Sequence, residues 1–256
     1  MVESMVYDPS TRKRFRMFYK VSPLLYNSAH TALERAKNIS FQAANVRLIK
    51  SARMYATPQI ISEFDKVYAK LEQNRKEAAS ELSCPVEWAI SKQAGLMVYA
   101  LVRKMKPETV LETGVANGVS TYIILSALNK NEKGELVSVE IRRDIGRLVT
   151  GINKRRWHLK VGNPKTIFAK TLKHVVTIDI FLHDSDHSYK TMRYEYNAVL
   201  GKLSKNGVIL SDDVNGNAAF MEFAKQLNAK PILIRSKEKV FGVLQTGRQS
   251  KRRRMW

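Results

Sequence analysis

Three aspartates and one histidine carry the reactive chemistry of this sequence. Asp184 and His187 stand three residues apart in Phe181-Leu182-His183-Asp184-Ser185-Asp186-His187. Asp212 and Asp213 follow the apolar run Val208-Ile209-Leu210. Both groups come directly after stretches of buried-strand character, so a parallel sheet would bring them to the same carboxyl edge. Three converging carboxylates repel one another unless one is protonated or a cation lies between them. An all-oxygen donor set favours Mg²⁺, with Ca²⁺ or Mn²⁺ also suited. A metal held by Asp184, Asp212 and Asp213 would bind a substrate hydroxyl and lower its pKa. The alternative is that Asp184 lines a cofactor site while Asp212 and Asp213 cap the next helix. His187, on the loop leaving the strand, could take the hydroxyl proton as a neutral imidazole. General bases of this kind contribute on the order of 10²–10⁴ in rate. Its alternative task is to order the loop by bonding Asp186 or a backbone group. His183 reads as a buried strand residue, and His158 and His174 have no motif around them.

A second constellation precedes these residues. Val110-Leu111-Glu112-Thr113-Gly114-Val115-Ala116-Asn117-Gly118-Val119-Ser120 reads as a buried strand, a turn of small residues and the start of a helix. Gly114, Ala116 and Gly118 let a ligand approach the backbone, and the first helical amides point back at the turn. A dinucleotide fold requires Gly-x-Gly-x-x-Gly. Here the strand ends in Glu-x-Gly-x-x-x-Gly, so that spacing fails. The second strand ends in Glu140, an acid that could accept from both hydroxyls of a ribose.

These residues need a sheet to position them. Strand signals fall at 110–113, 136–140, 158–161, 178–183 and 208–211, alternating with helical signals at 119–128, 144–153, 164–172, 192–203 and 218–227. Such alternation implies right-handed crossovers and a parallel sheet covered on both faces. The last two strand-like runs, 231–234 and 240–245, are separated only by residues 235–239. That gap is too short for a crossover helix, so the pair should form an antiparallel hairpin. Upstream, residues 1–80 contain no glycine and look mostly helical, with patterns over 31–55 and 59–82, and a further helix is expected over 86–105.

At this point a resemblance becomes specific. Residues from about 86 to 245 resemble a class I S-adenosylmethionine-dependent methyltransferase. Leu111 to Ser120 is similar to that family's first motif. Ile178-Asp179-Ile180-Phe181-Leu182-His183-Asp184-Ser185-Asp186-His187-Ser188-Tyr189 resembles the D-L-V-F-I-D-G-D-H-S-Y signature of one subgroup. Gly207-Val208-Ile209-Leu210-Ser211-Asp212-Asp213-Val214 resembles its G-G-V-I-V-x-D-D strand. The subgroup contains small-molecule and sugar O-methyltransferases. The resemblance implies a seven-stranded, mainly parallel, Rossmann-like α/β sheet with an antiparallel C-terminal hairpin. It implies that the Gly114–Gly118 turn passes under the methionine end of S-adenosylmethionine, that Glu112 faces its ammonium, and that Glu140 holds the ribose. Ser120 and Asp184 belong to the same cofactor-binding set. Asn163 stands where the family usually has an aspartate beside the adenine, and it can still donate and accept hydrogen bonds there. Related O-methyltransferases place a divalent metal at positions matching Asp184, Asp212 and Asp213. The implied reaction is metal-assisted O-methylation of a small hydroxyl acceptor: a sugar, a lipid headgroup or another metabolite.

Charge adds a further expectation. The chain has 256 residues, with 44 Lys and Arg against 23 Asp and Glu, a net charge of +21. Residues 141–174 hold 10 basic residues and 1 acidic one, and residues 230–256 hold 9 and 1. Such a field attracts polyanions, either nucleic acid or an anionic membrane surface. Arg12 to Lys20 mixes cations with Phe15, Phe18 and Tyr19, which could stack bases, enter a membrane interface or pack on the domain. An RNA methyltransferase using this basic surface is therefore the second functional reading, and a non-catalytic binding protein of the same fold is the third. No run of 18 or more apolar residues exists, and Cys84 is the only cysteine. These features, with a start that lacks the order of a signal peptide, point to the cytoplasm. The expected organisation is a basic helical extension over 1–85, the methyltransferase-like domain over 86–247 and a basic tail over 248–256. The extension is expected to shape the acceptor pocket or a homodimer contact.

Overall fold

A computed structural model of the chain describes residues 47–49, 51–236 and 239–246. The expectations for residues 1–46, including the Arg12–Lys20 segment, and for the basic tail lie outside these residues.

The described strands are β1 (Arg47–Ile49), β2 (Thr109–Thr113), β3 (Glu135–Glu140), β4 (Trp157–Val161), β5 (Ile178–His183), β6 (Leu203–Ser211), β7 (Ile232–Ser236) and β8 (Lys239–Gln245). The helices are α1 (Pro58–Glu77), α2 (Lys92–Met105), α3 (Val119–Asn131), α4 (Pro164–His174), α5 (Tyr189–Leu200) and α6 (Ala219–Gln226). One sheet of eight strands forms in the order β1-β7-β8-β6-β5-β2-β3-β4. β8 is antiparallel to both β6 and β7, and every other pair is parallel. The expected hairpin is present, and β2 and β5 are neighbours, with Thr113 opposite His183. That pairing brings the glycine turn and Asp184 side by side at the carboxyl edge.

Helices α1, α2 and α3 share one core with Val110, Leu136, Ile180 and Leu182 of the strands. α4 and α5 contact β3 to β6 from the other face, and α6 packs on α5. There Phe168 meets Phe181 at 6.2 Å, and Tyr196 meets Phe220 and Phe223. Sequence-encoded caps start these helices. Thr57, Ser91, Asn163 and Ser188 each accept a hydrogen bond from a backbone amide of the first turn, which satisfies a donor the helix cannot.

Four expectations are corrected. The sheet has eight strands rather than seven, because Arg47–Ile49 pairs with the outer edge of β7. This segment lies within a stretch read as helical; it buries Ile49 and closes an edge that would otherwise be open. The helix expected over 144–153 is absent. Gly146 and Gly151 both adopt positive φ (70° and 63°), which an α-helix excludes. Residues 86–105 do not form one helix: a short 3₁₀ turn, Val86–Trp88, precedes α2, which Ser91 caps. The helix expected over 192–203 is α5, ending at Leu200, and β6 then begins at Leu203, five residues before the expected strand start at Val208.

Candidate active site

β2 delivers the chain into the glycine turn, which lies directly against the end of β5. Gly114 adopts φ 83°, and a Cβ there would stand 2.0 Å from the carbonyl oxygen of Asp184. No side chain fits such an approach, so glycine is required twice over, by conformation and by space. Gly118 adopts φ 93°, and its Cβ would stand 2.6 Å from Val149 Cγ2. The loop after β3 packs on the turn from this side. Gly146 N–H donates to the Ala116 carbonyl at 2.8 Å, and Leu148 N–H to the Asn117 carbonyl at 2.9 Å. Asn74, from α1, donates to the Leu148 and Thr150 carbonyls. These bonds hold as ordered loop what periodicity presents as helix.

The two glutamates brace this turn. Glu112 is fully buried and accepts from Ser120 Oγ (2.6 Å), Thr121 Oγ1 (2.8 Å) and Ser138 Oγ (2.7 Å). It joins β2, β3 and the first turn of α3. Burial raises its pKa, opposed by the three hydroxyls. In this structure the Glu112 carboxylate and the Ser120 hydroxyl, both expected to serve a cofactor, bond each other. Glu140 accepts from the amides of Val115 (2.9 Å) and Ala116 (3.2 Å) with one oxygen, and from those of Ile141 (2.6 Å) and Arg142 (3.1 Å) with the other. Four amides fill a carboxylate's acceptor capacity, so a ribose hydroxyl can bind here only by displacing one of them. Ile141, the next residue, is 60% exposed at the same edge. Asn163 Oδ1 caps α4 by accepting from Thr166 N–H at 3.3 Å.

Beside Gly114 lies the acid cluster. Asp184 follows β5, and its Oδ1 stands 3.8 Å from His187 Nε2. Burial and the neighbouring Asp212 push the Asp184 pKa well above the usual carboxylate range. Asp212 follows β6 and its side chain is 1% exposed. Burial pushes its pKa up to about 6. Its Oδ1 is buried with no hydrogen-bond partner among the described residues, as is His187 Nε2. Burial and the adjacent His183 ring, whose centroid lies 5.3 Å away, push the His187 pKa down to about 4. His187 is thus a neutral imidazole near pH 7.

The structure gives the loop-ordering and helix-capping tasks to other residues. Asp186, not His187, orders the loop: it accepts from Ser188 N–H, Ser188 Oγ and Thr191 Oγ1. The start of α6 is served by Asn217 Oδ1, which accepts from Ala219 N–H, and not by Asp212 or Asp213. His183 is fully buried, as expected. Its Nδ1 lies 2.7 Å from Glu195 Oε2, and Glu195 also accepts from Thr113 Oγ1 (2.6 Å) and Ser185 Oγ (2.9 Å). Glu195 therefore ties the ends of β2 and β5 together behind Asp184.

The donor atoms that lie within 4.8 Å of one another belong to Asp184, His187 and Asp212. Asp213, expected as the third metal carboxylate, is not in that group; it adopts φ 48°. The residue that sequence reasoning missed is Lys239. Its ammonium donates to Asp212 Oδ2 at 2.9 Å and lies 3.6 Å from Asp213 Oδ2. Antiparallel pairing explains its arrival: Ser211 stands opposite Gly242, so Lys239 extends past the end of β6 alongside the aspartates. In sequence, a lysine opening a strand reads as solvent edge. Lys239 also donates to the Ala89 carbonyl at 3.3 Å, while Cys84 and Asn117 exchange hydrogen bonds (3.2 and 2.7 Å). Residues 84–89 thus run from the glycine turn to the acid cluster, with Val86 and Trp88 exposed.

Residues 111–214, from the glycine turn to the aspartate pair, match a family described as a methyltransferase domain. This segment therefore resembles a methyltransferase domain. Solved structures share its fold. An O-methyltransferase from Bacillus cereus in complex with SAH is similar over 69% of this chain and 90% of its own, at 17% identity and a TM-score of 0.55. The O-methyltransferase TomG from Streptomyces achromogenes, involved in tomaymycin synthesis and in complex with SAM, covers 71% and 90% at 19% identity and 0.54. The SAH-bound methyltransferase PaMTH1 of Podospora anserina covers 95% and 98% at 15% identity and 0.50. No curated protein sequence matches the chain. β1 and α1 belong to the same sheet and core as the matched segment, although they precede it. Among the described residues no helix is long and apolar enough to cross a membrane.

Proposed function

We propose that this chain transfers the methyl group of S-adenosylmethionine to a hydroxyl oxygen of a small acceptor, such as a sugar, a lipid headgroup or another metabolite. The observation that carries the reading is His187: a neutral imidazole with a buried, unpartnered Nε2, 3.8 Å from Asp184 and one strand-end from Gly114. The O-methyltransferases of B. cereus and S. achromogenes, solved with SAH and SAM, share the fold and support the cofactor.

S-adenosylmethionine supplies an electrophilic methyl group and a neutral thioether leaving group. The chain's own residues then have four tasks. Gly114 and Gly118 let the turn close against the end of β5 and the loop after β3, which fixes the backbone that a ligand would lie along. Ile141 offers an apolar surface for the adenine, with Asn163 beside it. Residues 84–89 wall the acceptor side, where exposed Trp88 and Val86 suit an apolar or ring-bearing acceptor. His187 takes the acceptor's proton at Nε2 as the oxygen forms its bond to carbon and the carbon–sulfur electrons return to sulfur.

The cluster also fits a divalent cation, Mg²⁺ first, because Asp184, His187 and Asp212 each bring a ligand atom within 4.8 Å of the others and Asp212 Oδ1 is buried without a partner. Asp184 and Asp212 would hold it, leaving the His187 nitrogen for the proton. Bound there, a cation would polarise the acceptor hydroxyl.

The test is calorimetric titration with S-adenosylmethionine, followed by detection of S-adenosylhomocysteine with a panel of sugars and phenols. One-site binding and acceptor-dependent product are expected; no measurable binding overturns the reading and leaves a non-catalytic protein of this fold. A nucleic-acid acceptor is the second reading, favoured by the ten cations against one acid, Asp144, over 141–174. It requires RNA affinity that falls steeply with salt.

A further inference from the structure

Lys239 is a buried-edge cation among three carboxylates, and methyl transfer as described gives it no task. Its ammonium reaches Asp212 Oδ2 (2.9 Å), Asp213 Oδ2 (3.6 Å) and the Ala89 carbonyl (3.3 Å). Its backbone position is fixed by the strand that carries it, for Val214 N–H donates to the Val240 carbonyl at 2.9 Å and Val240 N–H to Asn215 Oδ1 at 3.1 Å. The opposite oxygen of Asp212 remains unpartnered in a side chain that is 1% exposed, and a carboxylate oxygen of Asp212 lies within 4.8 Å of ligand atoms of Asp184 and His187. One carboxylate thus has one oxygen committed to an internal cation and the other unpartnered, beside a site for an external one.

We propose that Lys239 is a positioning residue that acts as a built-in cation, holding Asp212 and Asp213 in place and setting the affinity of the Asp184–Asp212 pair, beside His187, for divalent metal. The inference rests on the reading that this site accepts such an ion. The ammonium neutralises part of the charge that would attract a metal, and it repels a second cation arriving at the far oxygen of the same carboxylate. At a buried site like charges so close alter an equilibrium constant by about tenfold or more. The consequence is a domain that binds its metal weakly and exchanges it readily. Lys239 also ties residues 84–89 to the cluster through Ala89, so the charge balance and the wall of the acceptor side share one side chain.

The experiment titrates Mn²⁺ into the full chain, followed by calorimetry and by water-proton relaxation. Lys239→Met retains the alkyl stem and removes the charge; Lys239→Arg retains the charge. Lys239→Met should bind one Mn²⁺ at least about tenfold more tightly than the wild type, and Lys239→Arg should stay near the wild type. Adding Asp212→Asn to Lys239→Met should abolish the gain. Circular dichroism and thermal unfolding report whether each variant folds, and Lys239→Gln, neutral and still able to donate to Asp212, replaces Lys239→Met if that variant does not. Unchanged or weaker Mn²⁺ binding in the folded neutral variant overturns the proposal, as does the absence of Mn²⁺ binding in both wild type and variant. Either result leaves the methyl-transfer reading to be judged by S-adenosylmethionine binding alone.

Discussion

Gly114→Ala isolates the contact on which the site depends. Alanine at this position incurs two penalties. The first is conformational, since φ 83° costs an L-residue about 1–2 kcal/mol. The second is steric: the new Cβ would lie 2.0 Å from the Asp184 carbonyl oxygen. That oxygen is backbone, so the ends of β2 and β5 must separate by about an ångström or more before the contact becomes ordinary. Asp184 and His187 move with the end of β5. A misplacement of about 1 Å can cost 10²-fold in rate, equivalent to about 2.7 kcal/mol of transition-state stabilisation. Gly151→Ala is the control. Gly151 has φ 63°, but the nearest atom to its Cβ would be Lys70 Cε at 3.9 Å, so only the conformational penalty applies. The assay measures S-adenosylmethionine affinity by calorimetry and turnover as S-adenosylhomocysteine released. Gly114→Ala should lose about 10²-fold or more in kcat/KM, whereas Gly151→Ala should lose about 1–2 kcal/mol of stability and little activity. Equal effects of the two substitutions on turnover would refute the argument that close approach, rather than backbone strain, makes Gly114 necessary.

Three further outcomes are expected. The His187 pKa of about 4 lies below its ordinary value of 6.5, so the unfolded chain takes up the proton first and stability present above pH 6.5 is lost as pH falls toward 4. His187→Gln removes that dependence. The stability of wild type relative to the variant, from urea unfolding, should decline by about 2–3 kcal/mol between pH 7 and 4, and a pH-independent difference would contradict the burial argument. Glu195→Gln replaces an acceptor that serves Thr113, Ser185 and His183 with a group that donates. It should cost about 1–3 kcal/mol in urea unfolding and lower turnover through displaced strand ends; an unchanged midpoint would show that the network is not a brace. Chelator should depress turnover and Mg²⁺ restore it, with Asp212→Asn acting like chelator and Asp213→Ala doing so less. Full activity under chelator would mean that the carboxylates serve the cofactor and acceptor without metal.

Much of the sheet was legible because buried parallel strands are continuous apolar runs between turn residues. Ile178–His183 has the same limits in sequence and structure, and the short gap before Val240 announced the hairpin. β1 was hidden, for three residues within a long polar-apolar stretch carry no strand periodicity, and only the open edge of β7 makes them one. The loop after β3 misled because Leu148, Val149 and Ile152 have helical spacing. They pack into the core instead, with Val149 against Gly118, and the deciding residues were Gly146 and Gly151. At the site, residue types at strand ends pointed to Asp184, His187 and Asp212 correctly as neighbours. Motif position alone could not show that Glu112 turns into the core, since the hydroxyls that receive it come from Ser120, Thr121 and Ser138 on two other elements. Lys239 was invisible for a related reason: its role follows from register across an antiparallel pair and not from any motif.

On the proposed function, the carboxyl edge between Gly114 and His187 presents a methyl group to an acceptor oxygen. A crystal structure of the chain with S-adenosylhomocysteine bound measures this directly, through the path of the ligand and the distance from its sulfur to His187 Nε2. The ligand is expected against the Gly114–Gly118 turn, with its adenine near Ile141 and Asn163 and its sulfur open toward Asp184 and His187. A ligand whose sulfur faces away from the acid cluster, or one that leaves the turn empty, would contradict it.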